Sequence, residues 1–293
     1  MNILKLLADL AEVDPTLYDR LSSRRAAFAP LSKLGRKAAL AALPVALATA
    51  IVPAHARDIR TILDSLNLAL VLEYLESEFY ARALGLVAGA PSVPAGFFPA
   101  GTRPAIETIY RHEQQHVRFL ERVIQASGGT LPAKPRFDFT GSKNGAQAAV
   151  FADVFTNFDT FLQVAQTLED AGVRAYKGQV GFLQTDNSLL EAALRIHAVE
   201  ARHASHIRTM RRARGANVKN WVSATDASIA VPGKTEAVYA GEELVNQFIA
   251  GLRQVPFDQA PLNTVVAVAK VAEAFDEPIP ASTATSLVSI FTY

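Results

Sequence analysis

Two glutamate–histidine pairs with the same spacing are the residues of this sequence best suited to chemistry. Glu113 is followed three positions later by His116, and Glu200 three positions later by His203. Residues i and i+3 of a helix lie roughly 5–6 Å apart at Cβ, so each pair could bind one metal ion or two neighbouring ions. His112 opens a second interpretation, because His112-Glu113-x-x-His116 is also the zinc motif of metalloproteases, in which the glutamate is the general base.

Each pair is preceded by a glutamate and a tyrosine that lie seven residues apart, which is about two helical turns. The order Glu…Tyr, Glu-x-x-His therefore occurs twice and indicates an internal duplication of one two-helix unit. The zinc interpretation explains neither the second Glu-x-x-His nor the Glu…Tyr pairs, so a two-metal site is favoured. Four carboxylates and two imidazoles suit a pair of iron or manganese ions. The predicted ligands are Glu73, Glu113, His116, Glu169, Glu200 and His203.

The tyrosines and the remaining histidines form a second layer around these ligands. Tyr80 and Tyr176 are either core aromatics whose hydroxyls bond to ligand carboxylates or simply core residues. His112 is expected at the surface or beside the ligands. His197 and His206 share the face of the second Glu-x-x-His and could reach the edge of the site, with His197 the predicted neighbour of the ligands.

Glutamates fall into two groups by their helical neighbours. Glu73 and Glu169 are flanked by apolar residues at helical spacing, and buried carboxylates without cations would repel each other, so bound metal is the simplest explanation. A lone glutamate on a helix is most often solvated. We expect solvation for Glu76, Glu78, Glu107, Glu121 and Glu191.

The apolar spacing is helical over residues 57–214 and predicts four long helices. Breaks are expected where glycine and proline cluster, at residues 89–101 and 128–145. The polar turn at residues 185–188 can cap the fourth helix. Four long helices with two longer connections predict an all-α four-helix bundle as the fold class.

Residues 215–293 are predicted to form a C-terminal extension of short helices and loops on the bundle. Helical stretches are expected near residues 236–252 and 264–275. The apolar end of the chain would be unfavourable to expose, so we expect it to pack on the bundle or on a second subunit.

Composition limits the classes of function. The chain has 293 residues, 50% of them hydrophobic, which is enough for a substantial core. Its formal net charge of +1 argues against nonspecific nucleic-acid binding. Because the sequence contains no cysteine, any metal must be held by histidine and carboxylate.

Residues 1–56 have the pattern of an export signal. Arg24 and Arg25 precede an apolar run at residues 38–52 that ends in Ala54-His55-Ala56. The paired arginines predict the twin-arginine route, with cleavage after Ala56 and an exported, periplasmic or extracytoplasmic protein. The alternative is a retained amphipathic segment that packs on the body of the protein or on a membrane surface.

The strings "LNLALVLEYLESEFYARAL", "QTLEDAGVRAYKG" and "HAVEARHASHIR" resemble the first, third and fourth helices of the bacterial ferritin-like proteins related to plant desiccation-related proteins. The resemblance covers roughly residues 58–212. It implies a four-helix bundle with a di-metal carboxylate site and the same six ligands. It does not select a reaction, since members of the superfamily oxidise ferrous iron, reduce or dismutate peroxide, or hydroxylate substrates.

These observations predict a di-iron or di-manganese protein that reacts with oxygen or peroxide in oxidative-stress defence or ferrous oxidation. Electrons would come from an external donor, from ferrous ions or from a second peroxide. The alternative is a metal-stabilised structural protein of the desiccation type without turnover, and a zinc hydrolase is a minor one. A homo-oligomer is expected.

Overall fold

Four long helices form the body of the computed structural model. They are α1 (Ala48–Ala83), α2 (Arg103–Ala126), α3 (Phe158–Gln179) and α4 (Asn187–Ala213). Helix α1 packs most extensively on α2, and α3 on α4, so each half of the sequence repeat is one helical pair. The predicted all-α fold class is confirmed.

The structure describes residues 48–223, 231–242, 244, 246–247, 255–256 and 273–293; side chains are described from residue 61 onward, except at 246–247 and 255–256. Within these ranges the strands are limited to β1 (Asn246–Gln247) and β2 (Val255–Pro256), which pair antiparallel. They form a two-stranded sheet.

Helix ends follow local sequence signals. The predicted cap before the fourth helix is confirmed, because the Asp186 carboxylate accepts hydrogen bonds from the backbone N–H groups of Ser188 and Leu189. Asn157 caps α3 in the same way by accepting from the N–H of Asp159 at 3.0 Å. These caps set where the ligand-bearing faces of α3 and α4 begin.

An aromatic cluster fills one end of the bundle. Phe79 of α1 stacks on Phe161 of α3 with ring centroids 4.8 Å apart, and Phe97 and Phe139 from the two long connections pack edge-on against these rings. All four side chains are buried. Aromatic pairs of this kind contribute about 0.5–1.5 kcal/mol each beyond burial, so the cluster holds α1 and α3 in register.

The C-terminal extension contacts the bundle through buried groups. Arg174 of α3 donates to the carbonyl oxygens of Glu277 (2.6 Å) and Ala240 (2.8 Å) and pairs with Glu242 at 2.7 Å. Gly178 allows the backbone of Ile279 to lie directly against α3, where a Cβ would collide with the carbonyl oxygen of that residue. The extension is therefore anchored on the third helix.

The last helix, α5 (Ala281–Phe291), buries Leu287, Ile290 and Phe291 and packs on α1 and α3. A short 3-10 helix at Glu236–Val238 precedes β1, so the helix predicted near residues 236–252 is wrong where that segment is described. The helix predicted near residues 264–275 lies mostly outside the described residues.

Helix α1 starts before the predicted cleavage point. It runs from Ala48 through Ala56 without interruption, so the predicted boundary falls inside this helix. The arginine pair lies outside the described residues, and the export prediction stays a prediction. In the part of the chain that the structure describes, none of the helices combines the length and the apolar character needed to span a membrane.

Candidate metal centre

The six predicted ligands converge in the middle of the bundle. Helices α1 and α3 each supply one glutamate, while α2 and α4 each supply one Glu-x-x-His, so each i and i+3 pair points inward from one helix face. The four glutamates are 0% exposed and both histidines are buried. Their ligand atoms form two groups in which all atoms lie within 4.8 Å of one another. One group contains Glu73, Glu113, His116 and Glu200, and the other contains Glu113, Glu169, Glu200 and His203.

His116 marks the first group. Its Nδ1 lies 3.3 Å from Glu73 Oε2, 3.2 Å from Glu113 Oε2 and 2.9 Å from Glu200 Oε1. Three carboxylates from three helices therefore surround one imidazole nitrogen. That arrangement suits a cation held between them.

His203 marks the second group in the same way. Its Nδ1 lies 2.7 Å from Glu113 Oε1, 3.4 Å from Glu169 Oε2 and 3.5 Å from Glu200 Oε2. Glu113 and Glu200 thus direct one oxygen to each histidine, whereas Glu169 serves this group alone. The two glutamates of the Glu-x-x-His motifs are shared between the groups.

The tyrosines connect the two halves of the repeat. Tyr80 of α1 donates its hydroxyl to Glu169 Oε1 of α3, and Tyr176 of α3 donates to Glu73 Oε1 of α1 at 2.5 Å. Burial, followed by the charge of the neighbouring glutamate, raises the pKa of both tyrosines well above the usual range. The hydroxyls therefore remain donors and orient the carboxylates, which is the first of the two alternatives predicted for them.

Charges in the centre are strongly coupled. Burial acts to lower the pKa of His116 and His203, but the surrounding carboxylates outweigh it and raise both pKa values well above the ordinary range. For Glu200, burial acts to raise the pKa, but the two imidazoles lower it overall. Burial and the charge of Glu200 raise the pKa of Glu113. Metal ions bound there would compete with protons for the same nitrogen and oxygen atoms.

Several buried ligand atoms make no hydrogen bond within the described structure. They lie at ion-pair distances from an imidazole nitrogen, yet the angles do not suit hydrogen bonds. Buried polar atoms of this kind are unfavourable unless a cation or a donor meets them. The donor set of carboxylate and imidazole fits two divalent ions of the iron or manganese type. The atoms are Glu73 Oε2, Glu113 Oε1, Glu169 Oε2, Glu200 Oε1, Glu200 Oε2 and His203 Nδ1.

The sequence of this bundle matches a known family. The model of the ferritin-like domain family matches residues 61–213, just over half of the chain, and this segment contains all six residues of the two groups and both tyrosines. The chain belongs to the ferritin-like domain family. No curated protein matches the chain. The ferritin-like resemblance stated from the sequence is confirmed, whereas its link to plant desiccation-related proteins stays a prediction.

The remaining histidines of the ferritin-like bundle lie outside both groups. His112 is exposed, and its Nδ1 lies 2.9 Å from Nε2 of His203, with the two rings nearly parallel. Among the described residues His112 joins no metal-binding group, so the zinc motif is not assembled. His197 contacts the carbonyl oxygen of Val173 at 3.0 Å rather than a ligand carboxylate, and His206 is exposed.

The contact between His112 and His203 has a testable consequence. The Nδ1 of His203 faces the carboxylates, and its other ring nitrogen contacts His112. A contact on that second nitrogen orients the imidazole toward the carboxylates. We expect His112→Ala to weaken binding of one of two Mn²⁺ ions about 10-fold or more. Titration of the apoprotein with Mn²⁺ measures this, with His206→Ala as the exposed control on α4. Equal affinities in both variants would contradict an orienting role.

Two glutamates predicted to be solvated are not. The side chain of Glu78 is only 12% exposed and pairs with Arg82. Glu76 is 2% exposed and lies beside Gly172, which also adjoins Glu200. Burial first, and then the charges of Glu200 and the other ligand glutamates, raise the pKa of Glu76 well above the usual range. The signal was present in its spacing, since Glu76 lies three residues after Glu73 and four before Tyr80, on the same helix face.

Proposed function

We propose that the protein is a di-metal carboxylate oxidoreductase that oxidises ferrous iron with oxygen or consumes hydrogen peroxide. The observation that carries this proposal is the pair of buried groups joined by Glu113 and Glu200. Two iron or manganese ions held there would supply one-electron oxidation and reduction next to each other. The shared carboxylates support the proposal because they would hold the two ions next to each other in the bundle.

Burial of the centre favours small reactants. The ligand carboxylates are fully buried, and a cavity in the bundle that none of them lines has mainly apolar walls, with side chains such as Leu66, Ala69 and Ile196. Tyr176, which donates to Glu73, also lines this cavity. Oxygen and hydrogen peroxide are small enough for such a space, whereas an organic substrate would need the helices to separate.

The electron balance also limits the reaction. The chain has no cysteine and therefore no thiolate-bound iron site of its own. Each ferrous ion that is oxidised gives up one electron, and oxygen accepts the electrons. In peroxide disproportionation, one peroxide molecule is reduced to water while another is oxidised to oxygen. Neither reaction requires an external donor.

A second candidate function is a metal-stabilised structural protein without turnover. The buried contacts from Arg174 to Glu242 and from Asp170 to Tyr239 favour it, because they fasten the extension rigidly onto α3 beside Glu169. In that case the metal ions would stabilise the bundle and would not react.

One experiment separates the two functions. The protein is loaded with iron or manganese, and ferrous oxidation and peroxide consumption are measured with Glu169→Ala beside the exposed control Glu191→Ala. For the oxidoreductase we expect turnover that falls about 10–100-fold or more in Glu169→Ala and is unchanged in the control. A fully loaded protein that is inert in both assays, but whose melting temperature falls sharply on chelation, would establish the structural function instead.

A further inference from the structure

Glu76 is a buried carboxylate that the six-residue ligand set does not use. It lies one turn after Glu73 on α1, and its Oε2 is buried without a hydrogen-bond partner in the described structure. A carboxylate in such a place is unfavourable unless a proton or a cation compensates it. The residues around Glu76 indicate which of the two compensates its carboxylate.

The space that Glu76 occupies is left open by a glycine. In the sequence repeat, Glu76 follows Glu73 by three residues, and the equivalent residue after Glu169 is Gly172. A Cβ at Gly172 would lie 3.1 Å from Glu76 Oε1 and 3.7 Å from Glu200 Oε2. Glycine inside a helix is about 1 kcal/mol less favourable than alanine, so α3 gives up helix stability where it makes room for this carboxylate.

The neighbour of Glu76 indicates which metal ion it would reach. Glu200 Oε2, the ligand oxygen that faces the same gap, belongs to the group of His203 and Glu169. Gly172 also lies one turn after Glu169 on the same face of α3. Glu76 therefore approaches the second group from α1, although its oxygens lie outside both groups of mutually close ligand atoms.

We propose that Glu76 is a fifth carboxylate ligand of the metal centre, bound to the ion of the His203 group. This rests on the proposed di-metal function. Two divalent ions balance the four shared and terminal carboxylates, and a fifth carboxylate adds a negative charge that favours an ion of higher charge at that position. Glu76 thus makes the two halves of the duplicated site unequal, although their six ligands are the same.

The test compares Glu76→Gln with Glu78→Gln. Glu78 is a matched control because it lies on the same helix but pairs with Arg82 and Lys134 away from the centre. Metal per chain is measured by elemental analysis, affinity by Mn²⁺ titration of the apoprotein, and coordination by the visible absorption of the Co²⁺-loaded protein. We expect Glu76→Gln to weaken binding of one ion about 10–100-fold and to change the Co²⁺ spectrum. Glu78→Gln should change neither.

A second variant keeps the test decisive if Glu76→Gln folds poorly. Gly172→Ala suits a helix and presses on Glu76, so it should shift the Co²⁺ spectrum while the fold is retained. Two ions bound with unchanged affinity and spectrum in both variants would overturn the role of Glu76 and leave the di-metal function intact. Failure of the wild-type protein to bind metal at all would overturn both.

Discussion

Glu200→Gln is expected to reduce the metal content from about two ions per chain to about none, whereas Glu73→Gln should leave about one. Glu200 directs one oxygen toward each histidine, so its loss removes a ligand from both groups. Glu73 contacts the His116 group alone. Glutamine keeps the shape of the side chain but lacks the negative charge. A difference in metal content between the two variants therefore reflects the loss of a metal ligand and not a loss of side-chain volume.

The equivalent residues of the repeat provide the control for this prediction. Glu113→Gln should behave like Glu200→Gln, because both glutamates belong to both groups. Glu169→Gln should behave like Glu73→Gln, because each of these two glutamates belongs to one group only. Elemental analysis of protein reconstituted with excess iron or manganese and then desalted measures the content. Loss of a single ion in all four variants would show that neither Glu113 nor Glu200 is shared.

Asp170→Asn is expected to lower the free energy of unfolding by about 3–5 kcal/mol. Asp170 forms a buried pair with Arg208, with 2.5 Å between Oδ2 and the guanidinium, and both side chains are 0% exposed. Tyr239 of the extension donates to the same carboxylate at 2.9 Å. The variant removes the negative charge that compensates a buried guanidinium, and it weakens the contact between the extension and α3.

Asp159→Asn is the matched control for the buried pair. Asp159 at the start of α3 pairs with Arg214 at the end of α4, so this ion pair also joins the third and fourth helices, but both side chains are substantially exposed. Exposed ion pairs contribute about 0–1 kcal/mol to stability, so we expect a small effect of Asp159→Asn. Urea unfolding of the metal-free proteins measures the free energy of unfolding of both variants. Similar, small effects of the two substitutions would mean that burial adds nothing to the Asp170–Arg208 pair.

The parts of the fold that the sequence predicted are those governed by local geometry. The helical period places Glu113 and His116 on one face wherever the helix lies, and the Asp186 cap depends only on residues 186–189. The duplication added long-range information, because two copies of one unit must pack against each other to bury their apolar stripes. The family and the inward direction of the six candidate ligands could therefore be predicted without coordinates.

The errors arose where a residue's environment is supplied by another helix. Glu76 was expected to be solvated because isolated helical glutamates usually are, but α3 covers it and Gly172 leaves the space. His197 has helical spacing suited to the site, yet its ring contacts the backbone of α3. Propensity and spacing describe one helix at a time and contain no distance between two helices.

By itself, the sequence determined which side chains share a helix face and that two equivalent units exist, because helical periodicity and repeat spacing are properties of the chain. Only the tertiary structure decided that Glu113 and Glu200 serve both groups and that each tyrosine bonds to the glutamate of the other repeat. It also decided that Glu76 is buried and lies beside Gly172 of α3. Those contacts depend on how helices distant in sequence are placed against one another, and packing of the whole core sets that placement.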